Sequence, residues 1–194
     1  MDIEIRYNKV FLQKLRSDVS VRERALPILR AKESALRLEV KLRKKQLDEQ
    51  QQALENIQKE AAGGAALWGE FPQLLSIQNV HIAKVNIAGV FLVRLEKIDF
   101  HLEELSVFSA PKWFLHGLSI LKELINAETE YKIAQKNLEL LSYASKKTTQ
   151  KVNLYEKVQI PLYQAAIMRI KRFLEDEENL SRAASKIIKK KRAP

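Results

Sequence analysis

The chain has 194 residues, and its side chains best suited to acid–base or metal chemistry are three histidines, His81, His101 and His116. An imidazole serves as a general base or a metal ligand only with partners at suitable spacing. None of the three has a second His four residues away or an acidic motif at ligand spacing, so no metal site is expected. No Ser–His–Asp arrangement can be argued, because all the histidines lie in or near the middle third of the chain. The pattern G-x-x-x-x-G-K-[ST] is absent, which excludes a P-loop. Glu175, Asp176, Glu177 and Glu178 form an acidic run that reads as a solvated helix face or a partner for basic neighbours. The pattern points to a non-catalytic protein with no cofactor.

Charge is the stronger signal. The formal net charge is +10, and the chain closes on Lys186, Lys189, Lys190, Lys191 and Arg192 around Ile187 and Ile188. Such a balance favours an acidic partner: nucleic acid, anionic lipid or an acidic protein surface. No aromatic residues interleave with the tail to stack bases, and lysines near a helix C-terminus are also favoured by the helix dipole. There is no cysteine, hence no disulfide framework, which fits a reducing compartment. The first residues lack the apolar centre of a signal peptide, and no apolar run reaches the roughly 18 residues a membrane span needs.

Long helices must position whatever does the work. From Lys147 to Glu178 apolar residues fall at Val152, Tyr155, Val158, Leu162, Ala166, Ile170 and Phe173. Steps of three and four make a helical seam built to lie along a second helix. Pro161 interrupts it and predicts a kink, since proline lacks the N–H and crowds the carbonyl of Lys157. The partner is residues 8–62. Its seam runs Leu12, Leu15, Val19, Arg22, Leu26, Leu29, Glu33, Leu36, Val40, Arg43, Leu47, Gln50, Leu54, Ile57 and Ala61. Arg22, Glu33, Arg43 and Gln50 weaken the seam but can fix its register. Pro27 predicts a bend near residues 23–27.

Gly63 and Gly64 end the first helix. The next loop carries Leu67, Trp68, Phe71, Leu74 and Leu75, which either pack back on the helix ends or form a contact patch. In residues 77–102, Val80, Ile82, Val85 and Ile87, then Val90, Leu92 or Val93, Leu95, Ile98, Phe100 and Leu102, predict two strands with a turn within 84–89. A lone hairpin is marginal, so it must lie on the helices or on another subunit. Ser109 and Pro111 restart the helix. Its seam reads Leu118, Leu121, Leu124 or Ile125, Tyr131, Ala134, Leu138, Leu141, Ser145 and Thr148, with Gly117 and Pro161 as candidate breaks.

At about 1.5 Å per residue these helices would be about 80 and 115 Å long, too long for a compact domain. The predicted fold is therefore mainly α: a long antiparallel two-helix coiled coil with a short β-hairpin insertion between the helices. Its parts are residues 1–62, the N-terminal helix; 63–110, the loop and hairpin; and 111–194, the C-terminal helix and basic tail.

Three stretches resemble the D subunit of the V-type and A-type rotary ATPases, the shaft of the central stalk. Near the start, Asn8-Lys9, Leu12 and Leu15, then Ile28-Leu29-Arg30-Ala31-Lys32 and Leu36, are similar to the family's Thr-Lys/Arg and spaced leucines. In the insertion, Ile87-Ala88-Gly89-Val90 matches its I-A-G-V. Near the end, Thr148, Lys151, Val152, Asn153 and Glu156, then Ile160-Pro161, then Leu174, Glu175 and Glu177 match without a gap. The resemblance covers nearly the whole chain. Departures mark a divergent, bacterial member: Thr149 and Gln150 replace arginines, Tyr155 a leucine, Ala25 a glycine and Val93 a proline, and Pro27 is unusual.

The resemblance implies a non-catalytic rotor that couples ATP hydrolysis or synthesis to rotation of an ion-translocating ring. Its partners would be the catalytic and non-catalytic hexamer subunits (A and B), the small F subunit of the central stalk and the membrane-rotor adaptor (C/d). Nucleic acid and direct membrane insertion are not implied, and the place is cytoplasmic, peripheral to the membrane. Lys9, Leu12, Leu15, Arg172, Lys186 and Lys189 would meet the hexamer. Val80, Ile82, Ile87, Gly89 and Val90 would meet the small stalk protein. Trp68, Phe71, Trp113 and Phe114 would meet the adaptor. Leu29, Leu36, Thr148, Lys151, Val152, Asn153, Glu156, Ile160 and Pro161 carry the motifs on the coiled coil. The alternative from charge alone is a basic coiled-coil adaptor for nucleic acid or an anionic surface.

Overall fold

The computed structural model describes residues 4–63, 68, 69, 71, 75–102, 111 and 113–192. Helix α1 is Lys9–Gly63, the strands are β1, Leu75–Ile87, and β2, Val90–Leu102, and helix α2 is Trp113–Asn153. A π-helical turn, Leu154–Gln159, joins α2 to helix α3, Ile160–Arg192. The expected mainly helical fold with a hairpin between long helices is the one observed. Gly64, Leu67, Leu74 and Ser109 lie outside the described residues.

Asn8 caps α1: its side-chain oxygen accepts the Phe11 backbone N–H at 2.7 Å. This satisfies one of the N–H groups left orphaned at every helix start. The helix then continues as one element through Pro27 to Gly63. All the seam positions from Leu12 to Ala61 are buried or half-buried, including the four polar ones.

The contacts form two units. In the terminal unit, α1 as far as Glu33 packs on the chain from Lys147 onward. Leu12, Leu15, Ala166 and Ile170 form its core, with Phe11, Tyr163, Ile167 and Leu174 against it. Polar ties run in opposite order along the two segments. Arg22 meets Gln159 at 2.8 Å, Arg30 meets Glu156, and Glu33 meets Thr149 at 2.7 Å. The helices are therefore antiparallel there.

At Pro161 the helix widens. The Ile160 N–H bonds to the carbonyl of Tyr155, five residues back, giving a π turn just ahead of the residue that brings no donor of its own. A turn with more residues than usual rotates the succeeding residues about the axis. The expected seam nonetheless holds beyond it at Leu162, Ala166 and Ile170 and is lost at Val158, within the turn, and at Phe173. Val158 and Phe173 are 45% and 46% exposed, while Gln159, Tyr163 and Leu174 turn inward. Phe173 instead leans on Tyr7, ring centroids 4.8 Å apart.

In the hairpin unit, Ser34–Lys146, the strands pair antiparallel from Leu75↔Leu102 to Ile87↔Val90. Ala88 and Gly89 make the turn with φ of 51° and 77°. Positive φ at both central residues is what a type I′ two-residue hairpin turn requires. The Asn86 side chain closes it by accepting the Gly89 N–H at 3.0 Å. Leu36, Leu92 and Leu141 form the core beneath, and Val40, Ile87, Val90 and Ala144 pack on it. The hairpin is thereby anchored on α1 and α2.

Gly117 is not a break, since α2 runs through it. A Cβ there would stand 3.0 Å from Phe71 Cε2 and 3.5 Å from Trp68 Cη2. Glycine is present because two aromatic rings lie on the helix at that point, and the absent side chain gives them room.

Candidate partner-binding surfaces

The hairpin is held by a buried polar residue. Asn137 on α2 is 8% exposed. Its Nδ2 donates to the carbonyl of Val93 at 2.6 Å, and its Oδ1 accepts the Val93 N–H at 3.0 Å. A primary amide presents a donor and an acceptor side by side, as a strand's peptide group does. Asn137 thus pairs with β2 as a one-residue neighbouring strand, next to the Leu92–Leu141 contact.

Ile98 of β2 is also buried, at 6% exposed, whereas β1 from Ser76 to Ile82 is open to solvent. Bulges between Ile77 and Asn79 and between His81 and Ile82 break the alternation. A bulge adds an unpaired residue and resets which face a side chain takes. Val80 and Ile82 are exposed, as are Ile77 and Phe91. Ile87 and Val90 are not free for a partner in the same way, since they pack on the Leu36–Leu92–Leu141 core. Asp99 accepts from His81 Nε2 at 2.7 Å and from Lys97 Nζ at 2.6 Å. The hydrogen bond from Lys97, and then that from His81, hold its carboxyl below the usual carboxylate range.

A second surface is aromatic. Phe71 is tilted against Trp68, Trp113 and Phe114, with centroids 5.3–5.8 Å apart. The Trp68 indole donates to the carbonyl of Ala61 at 2.7 Å, satisfying one of the last acceptors of α1. The rings pack on one another and on the helices, and Trp113 and Phe114 remain partly exposed.

The third surface belongs to the terminal unit. Leu12 and Leu15 lie in its core, whereas Lys9, Arg172, Lys186 and Lys189 are exposed. A groove of about 840 Å³ runs beside Tyr7, Lys9, Arg16, Lys171 and Glu178. Beyond Leu174, α3 is exposed along its whole described length, Leu180, Ile187 and Ile188 included. Among the described residues no group of three or more His, Asp and Glu is placed to hold a metal. None of their helices is long and apolar enough to cross a membrane.

A family model described as the D subunit of ATP synthase matches residues 11–190. The chain belongs to the ATP synthase D-subunit family. Among curated relatives, the V-type ATP synthase D subunit of Borreliella burgdorferi is 31% identical, over 96% of this chain and 94% of its own. Its counterpart in Chlamydia muridarum is 28% identical over 86% and 85%. That of Chlamydia trachomatis is 31% identical over 55% and 52%.

Within this family member, the stretches that carry the resemblance meet one another. Arg30, from the first, pairs with Glu156, from the last. Leu36 packs in one cluster with Ile87 and Val90 of the hairpin motif. Val152 is buried, Leu29, Thr148 and Ile160 are half-buried, and Asn153 and Pro161 are exposed. Lys151 sits 5.8 Å from the Tyr155 ring, the residue that stands in place of a leucine. Thr149, in place of an arginine, donates to Glu33. Most of these motif residues build the helix pair and the seat of the hairpin. Asn137 was not singled out by sequence; its signal is an amide four residues before Leu141, beside the seam.

Proposed function

We propose that this chain is the central-stalk rotor of a V-type ATPase or ATP synthase, coupling nucleotide chemistry in a hexamer to rotation of a membrane ring. The observation that carries the reading is the family match along residues 11–190, together with an antiparallel helix pair and a hairpin set between the long helices. Family membership favours this reading over a basic adaptor for nucleic acid.

The role is mechanical and non-catalytic. A shaft transmits work by contacting each surrounding subunit differently in each orientation, so that each orientation favours a different nucleotide state. Exposed charged residues suit it, because a shaft held too tightly in one position would not turn. Lys9, Arg172, Lys186 and Lys189 are the proposed contacts with the catalytic and non-catalytic subunits, with Leu12 and Leu15 supporting them from the core. Val80, Ile82 and Gly89 are proposed to meet the small stalk protein, and Ile87 and Val90 to seat the strands that present them. Trp68, Phe71, Trp113 and Phe114 are proposed to meet the membrane-rotor adaptor. The complex would be cytoplasmic and peripheral to the membrane. Direction of the reaction and choice of ion reside in other subunits.

The test is a pull-down of the tagged full chain from membranes of its own cells, with ATPase assay of the eluate. Recovery of a nucleotide-binding hexamer with ATPase activity is the expected result. Recovery of nucleic acid, or of the chain by itself, would overturn the reading.

A further inference from the structure

We propose that Asn137 is a clamp that fixes the orientation of the hairpin on the helix pair. Two kinds of contact hold β2 to α2 at neighbouring residues. The Leu92 side chain enters the core with Leu36 and Leu141, and the Val93 backbone is taken by Asn137. Asn137 and Leu141 are four residues apart, and so share one face of α2. The apolar contact is non-directional and would let the strand roll or slide over the helix. The paired hydrogen bonds are directional. They run in opposite senses between one amide and one residue, and only one register and one strand angle satisfy both. Departing from that angle would leave a buried amide and two backbone groups unpaired.

The clamp has two consequences. It occupies the outer edge of β2 at Val93, where a further strand would otherwise pair, and so closes the sheet there. It also requires an N–H at position 93, which a proline would not supply. Val93, which stands in place of a proline in the resemblance, provides that donor. On the shaft reading, a fixed strand angle presents Val80 and Ile82 to a partner in one azimuth. That last consequence rests on the proposed function; the clamp itself does not.

The chain contains no cysteine, so two can be introduced cleanly. Nitroxides on Lys84→Cys in β1 and Lys146→Cys in α2, both exposed positions, report hairpin orientation as a distance distribution in the full chain. Asn137→Leu keeps the branching at Cγ and removes both hydrogen bonds. It should broaden the distribution and speed exchange of the Val93 amide about tenfold, with helical circular dichroism unchanged. Should that variant fail to fold, Val93→Pro removes one of the two bonds at an outward edge position where proline is tolerated, and should broaden the distribution as well. A distribution as narrow as that of the parent in a folded variant would overturn the clamp. A merely structural role would lower the melting temperature without widening the distribution. Because the measurement uses the free chain, it stands or falls separately from the pull-down above.

Discussion

Arg22 of α1 donates through Nε to Gln159 Oε1 at 2.8 Å, across the helix pair and at the last residue of the π turn. Its guanidinium also donates to the Asp18 carbonyl at 2.8 Å and lies 4.7 Å from the centre of the Tyr163 ring. One side chain in the seam thus reads three residues on two helices. This ties the end of the π turn to a specific partner on α1.

Replacing Arg22 by Lys keeps the charge but loses the planar fork and the stacking. The expected loss is about 1–2 kcal/mol of stability, measured by urea unfolding of the full chain. A loss within error would show that the register is set by Leu12, Leu15, Ala166 and Ile170 alone.

The aromatic cluster predicts a steric threshold at Gly117. Leucine there would have to displace the Phe71 ring, with an expected loss of about 1–3 kcal/mol. Trp68 and Trp113 are the only tryptophans, so their emission should shift to longer wavelength in Gly117→Leu. An unshifted spectrum in a folded variant would contradict the packing described.

Ala88 adopts φ of 51° in the hairpin turn, a conformation that disfavours a side chain with Cβ. Exchanging it for asparagine or glycine should slow hydrogen exchange of the hairpin amides, by the equivalent of about 1 kcal/mol. Gly89→Ala, at φ of 77°, should have the opposite effect.

Asp99 links His81 and Lys97 on the open face of the hairpin, with its pKa lowered by their hydrogen bonds. A carboxyl lowered on folding stabilises above its unfolded value of about 3.9, and the effect is lost as pH falls through the folded value. Carboxyl titration by NMR should place the Asp99 midpoint below that of a free aspartate. The double substitution Lys97→Ala and His81→Ala should return it toward the ordinary value. Equal midpoints would show that the two bonds do not form in solution.

The family match, the helical class and the seam of α1 were legible in the linear order of residues, since helical periodicity and hairpin propensity are local. The α1 seam from Leu12 to Ala61 needs only spacing to be seen, and every position in it is shielded. A turn within residues 84–89 was legible, and the structure puts it at Ala88 and Gly89. The features beyond reach depend on residues brought together from distant places. Val158 is exposed within the π turn ahead of Pro161, whose last residue, Gln159, meets Arg22 from 137 residues earlier. Gly117 has the look of a breaker until the rings of Trp68 and Phe71 come to rest on it. Asn137 has the look of a polar residue beside a seam, and only the approach of Val93, 44 residues away, makes its amide a strand partner. Local periodicity thus determined which segments are helices and that a hairpin lies between them. Tertiary structure decided which faces are spent on the core and which are left for partners, because burial and hydrogen-bond pairing belong to neighbours in space.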